Sequence, residues 1–196
     1  WKADVLFVHH GLFWGHESPI TGSHWERVRF LIENDIALYA AHLPLDMHPQ
    51  LGNNAQMAQA LALEAVRPFG NYHGTNIGVS GRLPESATVG AVCETLFGGR
   101  GEALSVLPFG PEQIETVAVV SGGAPKLLGE AIRKGIDLYI TGDASHTVYH
   151  EAMEAGTNVV FGGHYLTEVW GVRAVGSHLA AELGLETTFL DVPTGL

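Results

Sequence analysis

Four short apolar runs end on a small residue or on a polar residue able to carry chemistry: DVLFVHHG (4–11), DIALYAAH (35–42), DLYITGDA (137–144) and NVVFGGHY (158–165). None alternates cleanly between apolar and polar residues. Each therefore reads as a strand buried on both faces, the pattern of a parallel sheet. A fifth run, VAVVSGGAP (117–125), ends on glycines.

Helical signals fall between the runs. Ser23 and Glu26 have the spacing of a capping box, predicting a helix to about Asn34. Asn53 or Asn54 is placed to cap a helix over AQMAQALALEAV (55–66). Pro125 suits the first turn of a helix that stops at Gly135. Asp143 is placed to cap a helix that stops at Gly156, and a last long helix covers 166–184. Alternating strands and helices predict the α/β class. Residues 67–111, rich in Gly and Pro, read as a junction followed by the start of a second subdomain.

A chain of 196 residues that is 46% hydrophobic can bury a sizeable core, in one unit or two small subdomains. The net charge of -11 argues against a nucleic-acid polymer as partner, which would demand basic stripes. It does not exclude a nucleotide as substrate if a metal supplies local positive charge. Cys93 is the only cysteine, so the chain holds no internal disulfide, and a reducing cytoplasm is the simplest compartment. Its surroundings, SATVGAVCETLFG, suggest a buried small hydrophobe on a helix. No apolar run reaches the roughly 18 residues of a membrane span, and no signal peptide is visible. The chain opens on Trp1 rather than Met and passes almost at once into the first run, so a preceding segment is expected.

Eleven histidines outnumber the ten Lys and Arg, a first hint of metal chemistry. In open α/β sheets ligands bind beyond the carboxyl ends of the strands, and the runs deliver His9, His10, His42, Asp143 and His164 there. His164 and Glu168 are four apart at the start of a helix, on one face. Asp46 follows His42 by four residues, but Pro44 between them favours a turn over a regular helix. Singly, each of these is an ordinary loop histidine or surface pair. Together, His9, His10, Asp46, His164 and Glu168 offer three imidazoles and two carboxylates. That exceeds the needs of one tetrahedral zinc and falls short of closing two sites without a bridging carboxylate or water. The count points to a two-metal centre with open positions, a catalytic pattern. Mixed N and O donors suit Zn, Mn, Fe, Co or Ni.

Other residues have weaker claims. His42 is a sixth ligand, an outer partner or a proton shuttle. His146, in the first helical turn beside the strand ends, can touch substrate, whereas His150, one turn further, reads as structural. Ser121-Gly122-Gly123 is either a tight strand-to-helix turn or a phosphate cradle of backbone N–H groups. Phe13-Trp14 is expected to pack its loop against the core; the alternative is stacking on a planar substrate base. Gly11 is expected to permit the turn that brings both His9 and His10 inward.

The blocks HHGLFWG (9–15), YAAHLPLDMHPQLGNNAQMA (39–58), TGDASH (141–146) and GGHYLTE (162–168) resemble, in order and spacing, the signature blocks of the NIF-three-like family, also known as GTP cyclohydrolase I type-two homologues. The resemblance runs from the first strand to the TFLDVP tail (188–193). It implies a dinuclear metal centre whose ligands fall on His9, His10, Asp46, His164 and Glu168. It also implies two similar α/β subdomains, here residues 1–66 with 186–196 and residues 67–185, and ring-shaped hexamers. Family members carry further residues upstream of the double histidine. Two functions follow: a metal-dependent hydrolase acting on a nucleotide-like or phosphoester substrate, or a metal-handling protein without chemistry of its own.

Overall fold

The computed structural model describes residues 2–15, 18–98 and 101–196. Two sheets organise it. The smaller pairs β1 (Val5–Val8) in parallel with β2 (Ala37–Ala40), Val5 lying opposite Ala37 and Val8 opposite Ala40. Helix α1 (Gly22–Glu33) connects them and buries none of its residues. The expected capping box does not form. Thr21 is the N-cap, and the Glu26 carboxylate turns instead to Arg29, 2.6 Å away at one-turn spacing.

The larger sheet has six strands in the order β3-β4-β6-β7-β8-β5. These are β3 (Glu64–Tyr72), β4 (Thr75–Ala87), β5 (Ser105–Pro108), β6 (Ile114–Val120), β7 (Leu138–Thr141) and β8 (Asn158–Phe161). Pairs β6/β7 and β7/β8 are parallel, as is β1/β2, while β3/β4, β4/β6 and β5/β8 are antiparallel. Parallel pairing thus holds for the runs read as strands. The antiparallel pairs come from the Gly- and Pro-rich stretch expected to be a junction. There the β3/β4 hairpin turns on His73 and Gly74, both at positive φ as a tight hairpin turn requires.

Side chains alternate across the large sheet, so each strand feeds two cores. Ile114, Val117, Val119, Leu138 and Ile140 face one side with Met57, Leu96 and Phe97. Ala118, Val120, Tyr139, Val159 and Phe161 face the other with Phe69, Leu128 and Val148. Both faces being covered explains why the runs that became β6, β7 and β8 lacked alternation, whereas β1 and β2, also expected to be buried on both faces, contain no buried residue.

Short helices α2 (Leu43–Asp46) and α3 (Asn53–Ala60) follow β2. Helix α3 stops at Ala60, six residues short of the Val66 end of the expected helix, because the chain reverses at Ala62 (φ 50°) and enters β3. Helix α4 (Val89–Phe97) is capped by Thr88, whose hydroxyl accepts the Ala91 N–H at 3.2 Å. Cys93 on α4 packs half-buried against the core, and burial pushes its thiol pKa up, as befits a small hydrophobe. After β6, Pro125–Leu127 forms a 3₁₀ turn leading into α5 (Leu128–Arg133), with Gly135 just beyond. Ser145 rather than Asp143 caps the turn leading to α6 (Tyr149–Ala155), which ends at Gly156. Helix α7 (His164–Leu183) closes the fold. The tail beyond it runs back along α7. The Phe189 ring lies 4.1 Å below the Arg173 guanidinium, and Leu196 O accepts the Tyr165 N–H at 3.1 Å.

Candidate metal centre

His9 and His10 leave the carboxyl end of β1, and His42 leaves that of β2. Gly11 follows with negative φ. What its place demands is room, since a Cβ there would stand 2.8 Å from that of Ala40. The expected turn role for Gly11 is therefore replaced by close approach of the two strands. Asp46 ends α2, a single helical turn that tolerates Pro44 because the first turn has no N–H partner to lose. His164 opens α7 and Glu168 follows one turn later on the same face.

The structure brings all five of these candidate ligands together. His9 Nε2 lies 3.3 Å from Asp46 Oδ2 and 3.5 Å from Glu168 Oε1. His10 Nε2 and His164 Nε2 lie 3.1 and 3.0 Å from the other oxygen, Glu168 Oε2. Two groups of three donors result, each within 4.8 Å of one another: His9, Asp46 and Glu168, and His10, His164 and Glu168. Glu168 belongs to both and turns a different oxygen to each. His9 and His10 form a third group with His42. Their ring centroids lie 4.9 Å apart, and that of His42 is 5.0 Å from each.

The donors fit a metal. His9 Nδ1, His9 Nε2 and His164 Nε2 are buried without a hydrogen-bond partner, although carboxylates stand at ion-pair distance from both Nε2 atoms. Two imidazole nitrogens and two carboxylates thus share one small buried space. A buried polar atom left so is costly unless something else satisfies it.

The electrostatics agree. Burial disfavours charge on His9, but the Asp46 and Glu168 carboxylates outweigh it and hold its pKa up to about 9. His164 is likewise raised to about 9, first by Glu168 against the cost of burial and then by Asp143. Burial opposes ionisation of Glu168, yet His164 and His9 bring it down to about 2. His10 is lowered, burial being the largest cause.

Several positioning residues were read otherwise from the sequence. Asn53 and Asn54 do not cap α3. Gly52 does, and both Asn side chains are buried. Asn53 Nδ2 donates to Asp46 Oδ1 at 2.8 Å while its Oδ1 accepts the Gly171 N–H at 2.7 Å, tying α2 to α7. Ser121 Oγ donates to the same Asp46 oxygen at 2.7 Å. Asp46 Oδ1 is thus occupied and Oδ2 faces His9. Asp143 Oδ1 accepts from His164 Nδ1 at 2.8 Å, which fixes the tautomer and leaves Nε2 for the cluster.

The Ser121-Gly122-Gly123 segment is a strand-to-helix turn, not a phosphate cradle. Its Ser121 N–H donates to Asn54 Oδ1 and its Gly122 N–H to Thr167 Oγ1. Gly122 has φ 64°, and a Cβ there would stand 2.1 Å from Glu168 Oε1, so only glycine fits. Phe13 and Trp14 are 68% and 71% exposed, so they do not pack their loop against the core. Phe13 meets His24 edge to face at 5.2 Å, and Trp14 lies beside His10 and His42 instead. His146 is exposed on the 3₁₀ turn after Asp143 and enters none of the three groups.

A mixed α/β sheet with a buried histidine–carboxylate cluster at its strand ends defines the class. The chain belongs to the Duf34/NIF3 (NGG1p interacting factor 3) family, whose model matches residues 1–195. It is 46% identical to the GTP cyclohydrolase 1 type 2 homolog of Deinococcus radiodurans over 99% of its own length and 74% of that protein's. It is 45% identical to the protein of the same name in Archaeoglobus fulgidus, over 100% and 78%. The crystal structure of TTHA1606 from Thermus thermophilus superposes with a TM-score of 0.89 at 41% identity, covering 100% of this chain and 77% of that one. No helix among the described residues is long and apolar enough to cross a membrane.

Proposed function

We propose that the protein binds two divalent transition metal ions and uses them to hydrolyse a nucleotide-like or phosphoester substrate. The observation that carries this reading is the sharing of Glu168, whose two oxygens face two three-donor groups. Three protein donors leave a tetrahedral ion one position short, as catalytic rather than structural centres do. His9, Asp46 and Glu168 would hold one ion, and His10, His164 and Glu168 the other. Bound there, such ions supply Lewis acidity that brings the pKa of a water toward 7.

The chain's own residues supply the rest. Asn53 and Ser121 hold Asp46, and Asp143 holds His164. His42, exposed beside His9 and His10, would take a proton from the attacking water or return one to the leaving group. His146 is kept as a residue touching the outer part of the substrate. The same reading includes a reducing, cytoplasmic setting, two α/β subdomains and a closed ring of six chains. Light scattering that finds only monomer at micromolar concentration would remove the ring.

The exposure of His10 and His42 favours one other reading, a metal-handling protein, because an ion at the rim is open to transfer. A panel of nucleotides and phosphoesters separates the two. A hydrolase loses turnover to a chelator and regains it with Mn, Zn, Fe or Co. His42→Ala then lowers turnover more than ion content, and His146→Ala raises KM at unchanged ion content. If loaded protein turns nothing over above the metal-free control, yet donates its ion to a chelating acceptor faster than simple dissociation allows, the hydrolase is wrong.

A further inference from the structure

Trp14 is the most exposed large aromatic of the loop that carries the double histidine, at 71%. A tryptophan ordinarily buries 150 Å² or more, roughly, so leaving one in water at the rim of a cluster forgoes that gain. Its ring is not randomly placed. It lies 6.2 Å from the His10 imidazole with only 23° between the planes, an offset stack. It lies 6.2 Å from His42 as well, at 51°. His10 and His42 are edge to face at 5.0 Å. Three ring systems therefore meet beside the Glu168 cluster, and most of the indole stands in solvent.

We propose that the exposed indole of Trp14 is a stacking platform for a planar heteroaromatic ring of the substrate, of the size of a nucleobase, whose phosphoester arm reaches the ion positions. The proposal rests on the metal-centre reading above and names the substrate class within it. The reach is set by His10, which stacks beside Trp14 on one side and meets Glu168 at 3.1 Å on the other. The His10 imidazole therefore stands between the platform and the ion positions, a gap that a sugar or a similar short linker would bridge. Stacking of this kind tolerates many rings, because each presents a π face. Ring edges would meet the His42 imidazole, which supplies polar selectivity.

The test is binding rather than turnover. Zinc-loaded protein is titrated by calorimetry with adenosine 5′-monophosphate, ribose 5-phosphate and inorganic phosphate. The nucleotide should bind about tenfold or more tighter than ribose 5-phosphate. Trp14→Ala should abolish that difference, Trp14→Phe should keep part of it, and ribose 5-phosphate should bind all three proteins alike. Trp25→Phe, on α1, should leave the difference intact. Equal binding of nucleotide and ribose 5-phosphate by the parent overturns the proposal. So does a preference that survives Trp14→Ala, or a loss of zinc in Trp14→Ala that weakens both ligands together, since Trp14 would then be a prop for His10. A nucleotide preference with no turnover anywhere in the panel removes the hydrolase and leaves the platform standing. Turnover of alkyl phosphoesters without any ring preference does the reverse.

Discussion

The two sheets of this molecule are unequally buried. Every residue of β7 and β8 is buried, and none of β1 or β2 is. Helix α1 adds nothing buried, and Val5, Phe30, Ile32 and Tyr39 stand largely in solvent. A two-stranded sheet is marginal in water, whereas six strands with helices on both faces are self-sufficient. Yet the weaker unit presents His9, His10 and His42, and the stronger supplies His164 and Glu168. His9 is buried only because it reaches across to Asp46 and Glu168. Stability therefore resides in one region, while the site spans both and acts as the tie between them.

The contrast can be broken most sharply in the large core. Phe69→Ala should cost about 3–5 kcal/mol in denaturant unfolding, as a fully buried ring does. Next comes the tie. Without ions the amides of β1 and β2 should exchange far faster than those of β7 and β8, and saturation with zinc at about 100 times Kd should slow β1 and β2 about a hundredfold per ion. Equal protection of both sheets without metal would end the comparison. Smaller again, Asn53→Ala should weaken ion affinity about 10- to 100-fold by freeing Asp46, with elemental analysis and competition against a chelator as the readout.

Proton competition gives a further test. With pKa values raised to about 9, His9 and His164 carry protons at pH 7 in the ion-free protein. Each ion must displace them, so affinity should rise roughly tenfold per pH unit per proton up to pH 9 and then level off. Glu168, already ionised above about 2, adds no slope there. Without ions the sign reverses: the raised pKa values stabilise the fold fully below pH 6.5, and that contribution is lost as pH climbs through about 9. Least of all, Phe30→Ala on exposed α1 should change stability by no more than about 0.5 kcal/mol.

Much of this was legible in the sequence, because a buried parallel strand writes itself as a continuous apolar run. The runs before Gly122, Gly142 and Gly162 became β6, β7 and β8. The runs before His9 and His42 became strands too, but the expected burial did not follow, since periodicity reports what a strand could bury and not what is present to cover it. Strands β3 and β4 escaped because Pro68, Gly70, Gly78 and Gly81 interrupt any pattern, and a long hairpin tolerates glycine where backbones pass closely. The five candidate ligands were readable as residue types at strand and helix ends. The positioning roles of Asn53, Ser121 and Asp143 were not, because Asn53 and Asp143 read as caps and Ser121 as part of a turn or phosphate cradle, and only tertiary structure turned them toward Asp46 and His164.

Glu168 also sets a clock on synthesis. The carboxylate shared by both groups is encoded far downstream of His9 and His10, on the helix that closes the fold. At the usual pace of about 5–20 residues per second, a ribosome leaves the two histidines without their common partner for many seconds. During that interval His9, His10 and Asp46 are too sparse a set to hold two ions. On the two-ion proposal, metallation is a late event that follows assembly of the large sheet, and a cell short of metal would accumulate the empty scaffold.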